Sequence, residues 1–472
     1  MIDRYDNIII LLLFSFALFI NHGTFHQPLH PDEPTVINAA NSVLNNGLDP
    51  KMYRYPAGFF NLLALAFKIQ SNISPIKNYN QYQMARVLSR IMVASIAIMV
   101  FIICSMNVNK IAGITGAVIV SFSNTIYTNS NYAIVDIPTA FFTMLFFFLL
   151  ANYMHKTSLN NNQLYFLSLL IGVSISMKYT AALLIPVLII NSYSSLSKNH
   201  YQILSSGSIR RICFVLGASL TIVGLMLFAN HQSILGYLQK LTTDGIIEIE
   251  YINTFNNFIN LIFISGMIII IICLMKPEIF IKRSLRYIIS PLNLYLIMII
   301  SITFILLSPF TIIELKKSFA DFMYEYRHMK IGSAAQYHHS SDIHKHLLSK
   351  LSFFDTFNFY KNSLVKNIGI VGILVLPFGF YNLFKKNTIY FLSILVYLLL
   401  VIITILGWRN IATRYTLSLY PLLAVILVEG LQYLGSIITD RLPIHRDLCY
   451  CILASILMYP MINDFISYFH NV

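Results

Sequence analysis

Apolar stretches long enough, or nearly long enough, to cross a bilayer recur along almost the whole chain, and few folds can accommodate that pattern. Thirteen such runs centre on Ile8–Ile20, Ile91–Met106, Ile111–Ile126, Ile137–Tyr153, Leu164–Met177, Tyr179–Tyr193, Ile212–Ala229, Phe258–Met275, Ile288–Phe310, Ile368–Phe384, Ile389–Leu406, Tyr415–Leu434 and Leu448–Phe469. A spanning helix needs about 20 apolar residues, and unpaired backbone is intolerable in hydrocarbon, so each run reads as a helix. Composition agrees: 57% of the 472 residues are hydrophobic and 11% are charged, with a mean hydropathy of +0.69. A soluble domain carries about 25% charged residues. The expected fold is therefore an all-α polytopic membrane protein with about thirteen transmembrane helices, in a single transmembrane domain over residues 1–472. The first run is expected to be a retained anchor, because Asp3 and Asp6 dilute its basic flank and no small-residue cleavage site follows.

A net charge of +13 raises the question of nucleic acid, but such binders gather Lys and Arg on one face. Here the basic residues are scattered between apolar runs, so no nucleic-acid partner is expected. Five cysteines, Cys104, Cys213, Cys273, Cys449 and Cys451, lie in or beside those runs without metal spacing and give no disulfide framework. With the N-terminus inside, the inner connections hold 13 basic residues, among them Lys110, Lys156, Lys385 and Lys386, and the short outer ones hold only Lys178, Lys240, Arg409 and Arg414. The positive-inside rule fixes that orientation.

Two outer segments exceed what a connector needs: residues 22–84 and 311–366. The first contains a helical pattern from Thr35 to Leu44, closed by Asn45-Asn46-Gly47, and an apolar stretch, Ala57–Ile69, too short to span and suited to lying at the interface. It opens with His30-Pro31-Asp32-Glu33-Pro34. Two adjacent carboxylates beside a bilayer must be solvated, paired or used. As an alternative, Asp32 is an acidic cap for the Thr35 helix. Further on, Tyr53-Arg54-Tyr55-Pro56 places a guanidinium at headgroup depth, where it suits a phosphate or simply snorkels. Asp136-Ile137-Pro138 starts the fourth run and reads equally as an N-cap. Lys178, in Met177-Lys178-Tyr179-Thr180, stands on the outer side between two apolar runs, where an anionic partner or snorkelling would account for it. Arg409 and Arg414-Tyr415 lie at the outer end of the twelfth run.

In the second segment, Glu325 and His328 are spaced i, i+3 and share a helix face. They suit a divalent ion, an acceptor sugar or plain solvent. The histidines His338, His339, His344 and His346 lack the carboxylate or thiol that would complete a tetrahedral set. There is no phosphate-cradling glycine loop, dinucleotide fingerprint or nucleophile elbow. No soluble nucleotide is available outside the membrane, so an activated donor there arrives on a lipid.

The anchor, His30-Pro31-Asp32-Glu33 in the first outer loop and the Tyr-Arg-Tyr-Pro opening of the interfacial helix resemble the GT-C superfamily of polyprenyl-phosphate-dependent glycosyltransferases. The style is that of the family 39-like enzymes, which include the lipid A aminoarabinose transferase and the protein O-mannosyltransferases. Asp136-Ile137-Pro138, Met177-Lys178-Tyr179-Thr180, Ser308-Pro309-Phe310 and Arg414-Tyr415 follow in the order that family shows, so the resemblance covers roughly Asp3 to Glu429. One departure is that relatives often place the basic residue directly before the proline, where this chain has Tyr55.

The resemblance implies the GT-C fold and an inverting transfer from a polyprenyl-phosphate sugar to a hydroxyl of a glycan, glycolipid or protein. It places the enzyme in a bacterial inner membrane with its active site facing outward. It makes Asp32 the general base, with Glu33 orienting Asp32 or holding the sugar. It offers Arg54, Lys178 and Arg414 for the lipid phosphate, and Tyr55, Asp136, His328 and Tyr415 for the substrates. No cofactor is required by it, and a divalent metal at Glu325 and His328 stays open. Two other readings remain: a polysaccharide polymerase or ligase relying on the second loop, and, with less support, a lipid-linked sugar transporter or flippase. A transporter would show paired repeats and mid-membrane charge.

Overall fold

The structure is a computed structural model that describes residues 4–20, 29–73, 80–156, 159–198, 290–331, 353–408, 410–441 and 445–470, with isolated positions between 221 and 267. Every regular element among the described residues is helical, as the apolar runs require. Six of these helices are long and apolar enough to cross a membrane, or seven when one bent pair is taken together. The chain is a multi-pass membrane protein. Apart from those isolated positions, the runs Ile212–Ala229 and Phe258–Met275 fall outside the described residues, as do the histidines His338 to His346.

The α-helices are α1 (Arg4–Ile20), α2 (Glu33–Asn45), α3 (Gly58–Ile73), α4 (Gln81–Asn107), α5 (Lys110–Phe122), α6 (Asn124–Ser130), α7 (Asp136–Lys156), α8 (Asn161–Met177), α9 (Leu184–Lys198), α10 (Pro291–Leu307), α11 (Phe310–Ile313), α12 (Leu315–Ile331), α13 (Phe353–Lys386), α14 (Thr388–Leu406), α15 (Tyr420–Thr439) and α16 (Arg446–His470). Short 3₁₀ turns, Tyr179–Leu183 and Thr413–Thr416, precede α9 and α15. The asparagines scattered between the apolar runs start helices. The side chains of Asn80, Asn109, Asn160 and Asn387 each accept a backbone N–H in the first turn of α4, α5, α8 and α14, filling donors that a helix start leaves orphaned. Helix α2 ends where Gly47 takes φ +64°, the left-handed conformation expected at a C-terminal stop.

Several runs are not single helices. Ile111–Ile126 breaks at Ser123 into α5 and α6, bent by 60°. The break is stabilised from α13: Asn367 Oδ1 accepts from Thr125 N and Ser123 Oγ, both at 2.8 Å, so the freed backbone donor stays satisfied inside the protein. In α13 the backbone leaves helical geometry at Gly369, φ +68°.

The bundle centres on α15, where every residue from Tyr420 to Leu431 is buried, as an all-round apolar helix requires. It packs on α13, α5, α4 and α16. Against α13 the approach is close: a Cβ at Gly430 would lie 2.6 Å from the Val375 carbonyl oxygen, and one at Gly379 would overlap the Ile426 carbonyl. Small residues permit this backbone contact inside a membrane. Gly379→Leu should therefore separate α13 from α15 and lower the thermal midpoint in detergent, at a cost of about 1–3 kcal/mol or more. An unchanged midpoint would refute that packing.

A second, smaller core is built mainly by α2 and α3. Val36, Ile37, Ala40 and Val43 of α2 pack with Phe59, Phe60, Leu63 and Phe67 of α3, Ala133, Val135 and Met177. The expected helices at Thr35–Leu44 and Ala57–Ile69 are thus present, slightly longer, and packed on one another and on the ends of α4 and α8.

Candidate active site

The turn His30–Glu33 is closed in both directions. Glu33 N donates to the His30 carbonyl at 3.0 Å, and His30 N donates to Glu33 Oε2 at 2.8 Å. Glu33 is completely buried and accepts from Arg86 Nε at 2.8 Å and Nη2 at 2.7 Å, and from Ala133 N at 2.9 Å. Burial alone would raise the Glu33 carboxyl, but the Arg86, Ala133 and His30 hydrogen bonds outweigh it and hold the group below its ordinary value. With both oxygens engaged, Glu33 pins the turn to α4 and to the segment before α7. Of its two expected roles, orienting Asp32 fits this geometry.

Asp32 stands at the N-cap position of α2 but makes no side-chain cap hydrogen bond. Its carboxylate instead meets Arg414, Oδ2 to Nη1 2.7 Å. Arg414 Nε lies 4.0 Å from Asp136 Oδ2, and Asp136 Oδ1 meets Lys178 Nζ at 2.6 Å. Four charges of alternating sign, from α2, the turn before α15, the start of α7 and the end of α8, thus form one chain at one end of the bundle. Burial opposes the Arg414 charge, yet Asp136 and Asp32 more than offset it and raise its pKa. The Tyr415 ring lies 5.1 Å from Lys178 Nζ and 5.5 Å from Arg414 Cζ, and the Tyr55 ring 6.0 Å from Lys178 Nζ, adding cation–π attraction. The sequence places these residues far apart, and the fold brings Asp32, Tyr55, Asp136, Lys178, Arg414 and Tyr415 together.

The two carboxylates differ in access. Asp136 is 9% exposed and held between two cations, whereas the Asp32 side chain is 34% exposed. Arg414 Nε is buried and has no hydrogen-bond partner among the described residues, so the guanidinium retains an unused donor. Asp136, Lys178 and Arg414 line a narrow cleft. The same cleft is continued by the apolar side chains Leu183, Val401, Ile405 and Trp408.

The other expected residues sit beside this array. Arg54 lies over the Tyr324 ring, 4.3 Å from its centroid, so of the three candidate cations two share Asp136 and the third faces α12. His328 of α12 contacts Asn410 Nδ2 at 2.8 Å through Nε2, while its Nδ1 is buried without a hydrogen-bond partner among the described residues. Glu325 is one turn earlier. Among the described residues no three His, Cys, Asp or Glu side chains gather as a metal set. Ser308 anchors the first loop: its Oγ accepts from Ala57 N at 3.0 Å, directly before α3. Arg409 lies outside the described residues.

Three contributors escaped sequence reasoning: Arg86, His30 as a side chain, and Asn410. Arg86 had a usable signal, a cation in the opening turns of an apolar run, which demands a partner. The His30 ring packs 5.2 Å from Tyr132, and its Nδ1 accepts from Asp32 N at 3.1 Å. Burial and neighbouring Arg414 lower the His30 pKa from 6.5, outweighing Asp32 and Glu33. Burial, with Arg54 and Arg414, lowers His328. The folded chain therefore binds fewer protons than the unfolded chain in this range. The stabilising contribution is complete above about pH 6.5 and is lost as pH falls towards the folded pKa values. The wild-type unfolding midpoint should decline as pH falls below about 6.5, and the double variant His30→Gln, His328→Gln should flatten that decline.

With this geometry in view, comparison with known proteins is informative. The family model described as dolichyl-phosphate-mannose-protein mannosyltransferase matches residues 58–235. That match, running from α3 through the Asp136 and Lys178 motifs, supports the resemblance to the GT-C glycosyltransferases. No curated protein matches the chain by sequence. Among solved structures, an archaeal oligosaccharyltransferase from Archaeoglobus fulgidus, in complex with an inhibitory peptide and a dolichol-phosphate, aligns at a TM-score of 0.49 and 13% identity, over 99% of this chain and 56% of that one. The Archaeoglobus fulgidus oligosaccharyltransferase complex with Zn and sulfate aligns at 0.48 and 11%, over 95% and 52%. The chain thus spans about half the length of these solved proteins.

Proposed function

We propose that the chain is an integral-membrane glycosyltransferase that moves a sugar from a polyprenyl-phosphate donor to an acceptor hydroxyl, with inversion, at the outer face of the membrane. The observation that carries this reading is the cleft in which Asp136, Lys178 and Arg414 meet a wall of apolar side chains. Such a site suits a ligand with an anionic head and a hydrocarbon tail. Lys178 and Arg414 hold the phosphate, the unused Arg414 Nε donor supplying a charge-assisted hydrogen bond. Leu183, Val401 and Ile405 receive the first isoprene units.

In the reaction the acceptor oxygen bonds to the anomeric carbon as the carbon–oxygen bond to the lipid phosphate breaks. The leaving phosphate takes the electron pair, and its growing charge falls beside Lys178 and Arg414. The acceptor proton passes to Asp32, the more accessible carboxylate of the array. Asp136 keeps both cations in place, and Glu33 keeps the Asp32 turn in place. Arg54, Tyr324, Glu325 and His328 border the side from which the acceptor approaches Asp32. Transfer of labelled sugar from polyprenyl phosphate in proteoliposomes tests the reading, and full transfer by Asp32→Asn would overturn it.

A further inference from the structure

His30 faces two groups that can only donate. Its Nδ1 lies 3.1 Å from Asp32 N, and its Nε2 lies 2.9 Å from Arg414 Nη1. A backbone amide and a guanidinium both offer hydrogen and accept none, whereas a neutral imidazole has one bare nitrogen and one N–H. Only one of the two contacts is therefore a hydrogen bond at any moment, and an imidazolium would satisfy neither. The ring is neutral at pH 7: burial and Arg414 lower its pKa, and Asp32, Glu33 and Asp136 raise it by less. The ring is also held in place. The His30 backbone N–H is tied at 2.8 Å to Glu33 Oε2, itself fixed by buried Arg86, and the ring packs beside Tyr132 with centroids 5.2 Å apart. What can change is which nitrogen carries the proton.

In the resting site the charged partner prevails, because a hydrogen bond from a guanidinium is stronger than one from an amide. Nε2 is then bare and accepts from Arg414. The Nδ1 proton faces Asp32 N, with Asp32 Oδ2 3.9 Å away, so the amide of the turn that carries the base is left unmatched. Arg414 Nη1 also meets Asp32 Oδ2 at 2.7 Å, while Arg414 Nε is buried without a hydrogen-bond partner among the described residues. An anion that draws the guanidinium into the cleft frees His30 Nε2, and the mismatch resolves.

We propose that His30 is a tautomeric catch on Arg414 and a further ligand of the donor phosphate, an assignment that rests on the phosphate site proposed above. When the phosphate takes Arg414, one proton leaves Nδ1 for water and another is taken up at Nε2. The ring stays neutral and no net proton is bound. The side chain is 21% exposed, which admits the water. Because Nε2 lies 2.9 Å from Nη1, a phosphate oxygen bound to Nη1 is within reach of the new Nε2–H. Nδ1 then accepts from Asp32 N and fixes the turn of the base once the donor is in place. Donor loading thereby precedes activation of Asp32, which stays paired with Arg414 in the empty site.

The full chain carrying isotope-labelled histidine, in liposomes, tests this by nitrogen NMR, with the spectrum of His30→Gln subtracted to pick out the His30 signals. Without ligand Nδ1 should be protonated, and saturating polyprenyl phosphate should move the proton to Nε2. Polyprenol lacking the phosphate should move nothing, and inorganic phosphate should act only at far higher concentration. Two variants divide the roles, since an Asn side chain ends where Nδ1 lies and a Gln side chain reaches the position of Nε2. His30→Asn should weaken polyprenyl phosphate binding about tenfold, as expected for one lost hydrogen bond to a charged group. His30→Gln should lower kcat severalfold, and more than it weakens binding, because nothing then accepts from Asp32 N. An unchanged tautomer on binding, or equal losses of affinity and kcat in the two variants, would overturn the proposal. Failure of wild type to bind polyprenyl phosphate would overturn it together with the phosphate site. The proton shift without transfer of labelled sugar would overturn the transferase reading and leave the catch standing. Inorganic phosphate acting as strongly as the lipid would overturn the lipid as the source of the anion.

Discussion

Asp32→Asn is expected to lower sugar transfer roughly 10²–10⁴-fold, the usual contribution of a positioned general base, while the protein remains folded. The amide can still reach Arg414 Nη1, which the carboxylate meets at 2.7 Å, but it cannot take the acceptor proton. Because Asp32 is partly solvated and makes no cap hydrogen bond, its replacement should barely change the unfolding midpoint. Donor binding should survive as well, since the phosphate is assigned to Lys178 and Arg414. The companion variant Lys178→Gln reverses the pattern: KM for the donor rises, as expected when a charged contact worth about 1.5–3 kcal/mol is removed. Rates measured over a range of donor concentrations separate the two. A wild-type rate for Asp32→Asn would exclude it as the base, and an unchanged KM for Lys178→Gln would remove the lysine from the phosphate site.

The second large effect is on stability. Arg86→Ala leaves the fully buried Glu33 carboxylate without its bidentate partner, and breaking a buried pair from one side costs about 3–5 kcal/mol. Glu33→Ala removes the carboxylate partner of Arg86 and also releases the Ala133 and His30 backbone donors. Each single variant should unfold at clearly lower temperature. The combined variant Glu33→Leu, Arg86→Met should lose less than the two single losses added together, because neither charge is then buried alone. Additive losses would show that the two side chains act separately. Transfer should drop in both single variants at temperatures where they are still folded, since the turn carrying Asp32 is no longer fixed.

How much of this was legible beforehand depended on the range of the interaction. Apolar runs are local, so the helices could be read directly. The polar break at Ser123 was missed because its compensation comes from Asn367, more than 240 residues away. The Asn-rich connections were visible but not their role, which is to cap helix starts. Asp32, Asp136, Lys178 and Arg414 stood out because charge is scarce in so apolar a chain. Their pairing did not, since nothing local links α2 to a turn near the far end of the sequence. For Glu33 the pattern supported both an orienting role and sugar binding, and only the identity of its partner, Arg86, favours the first. The three candidate cations looked equivalent by sidedness, yet the fold puts Arg54 over Tyr324 and the other two around Asp136.

Arg414 Nη1 meets His30 Nε2 at 2.9 Å across 384 positions of sequence, so the two are synthesised far apart in time. At about 5–20 residues per second, the arginine leaves the ribosome roughly 20–80 seconds after the histidine. During that interval residues 33–73 can fold against α4 and α8, but Asp32 lacks its cation and the proposed phosphate site lacks one of its two cations. If the proposed roles of Asp32 and Arg414 hold, a nascent chain is catalytically silent until its last third has entered the membrane. Release of a truncated translation product would yield an inert protein rather than one that transfers sugar without control.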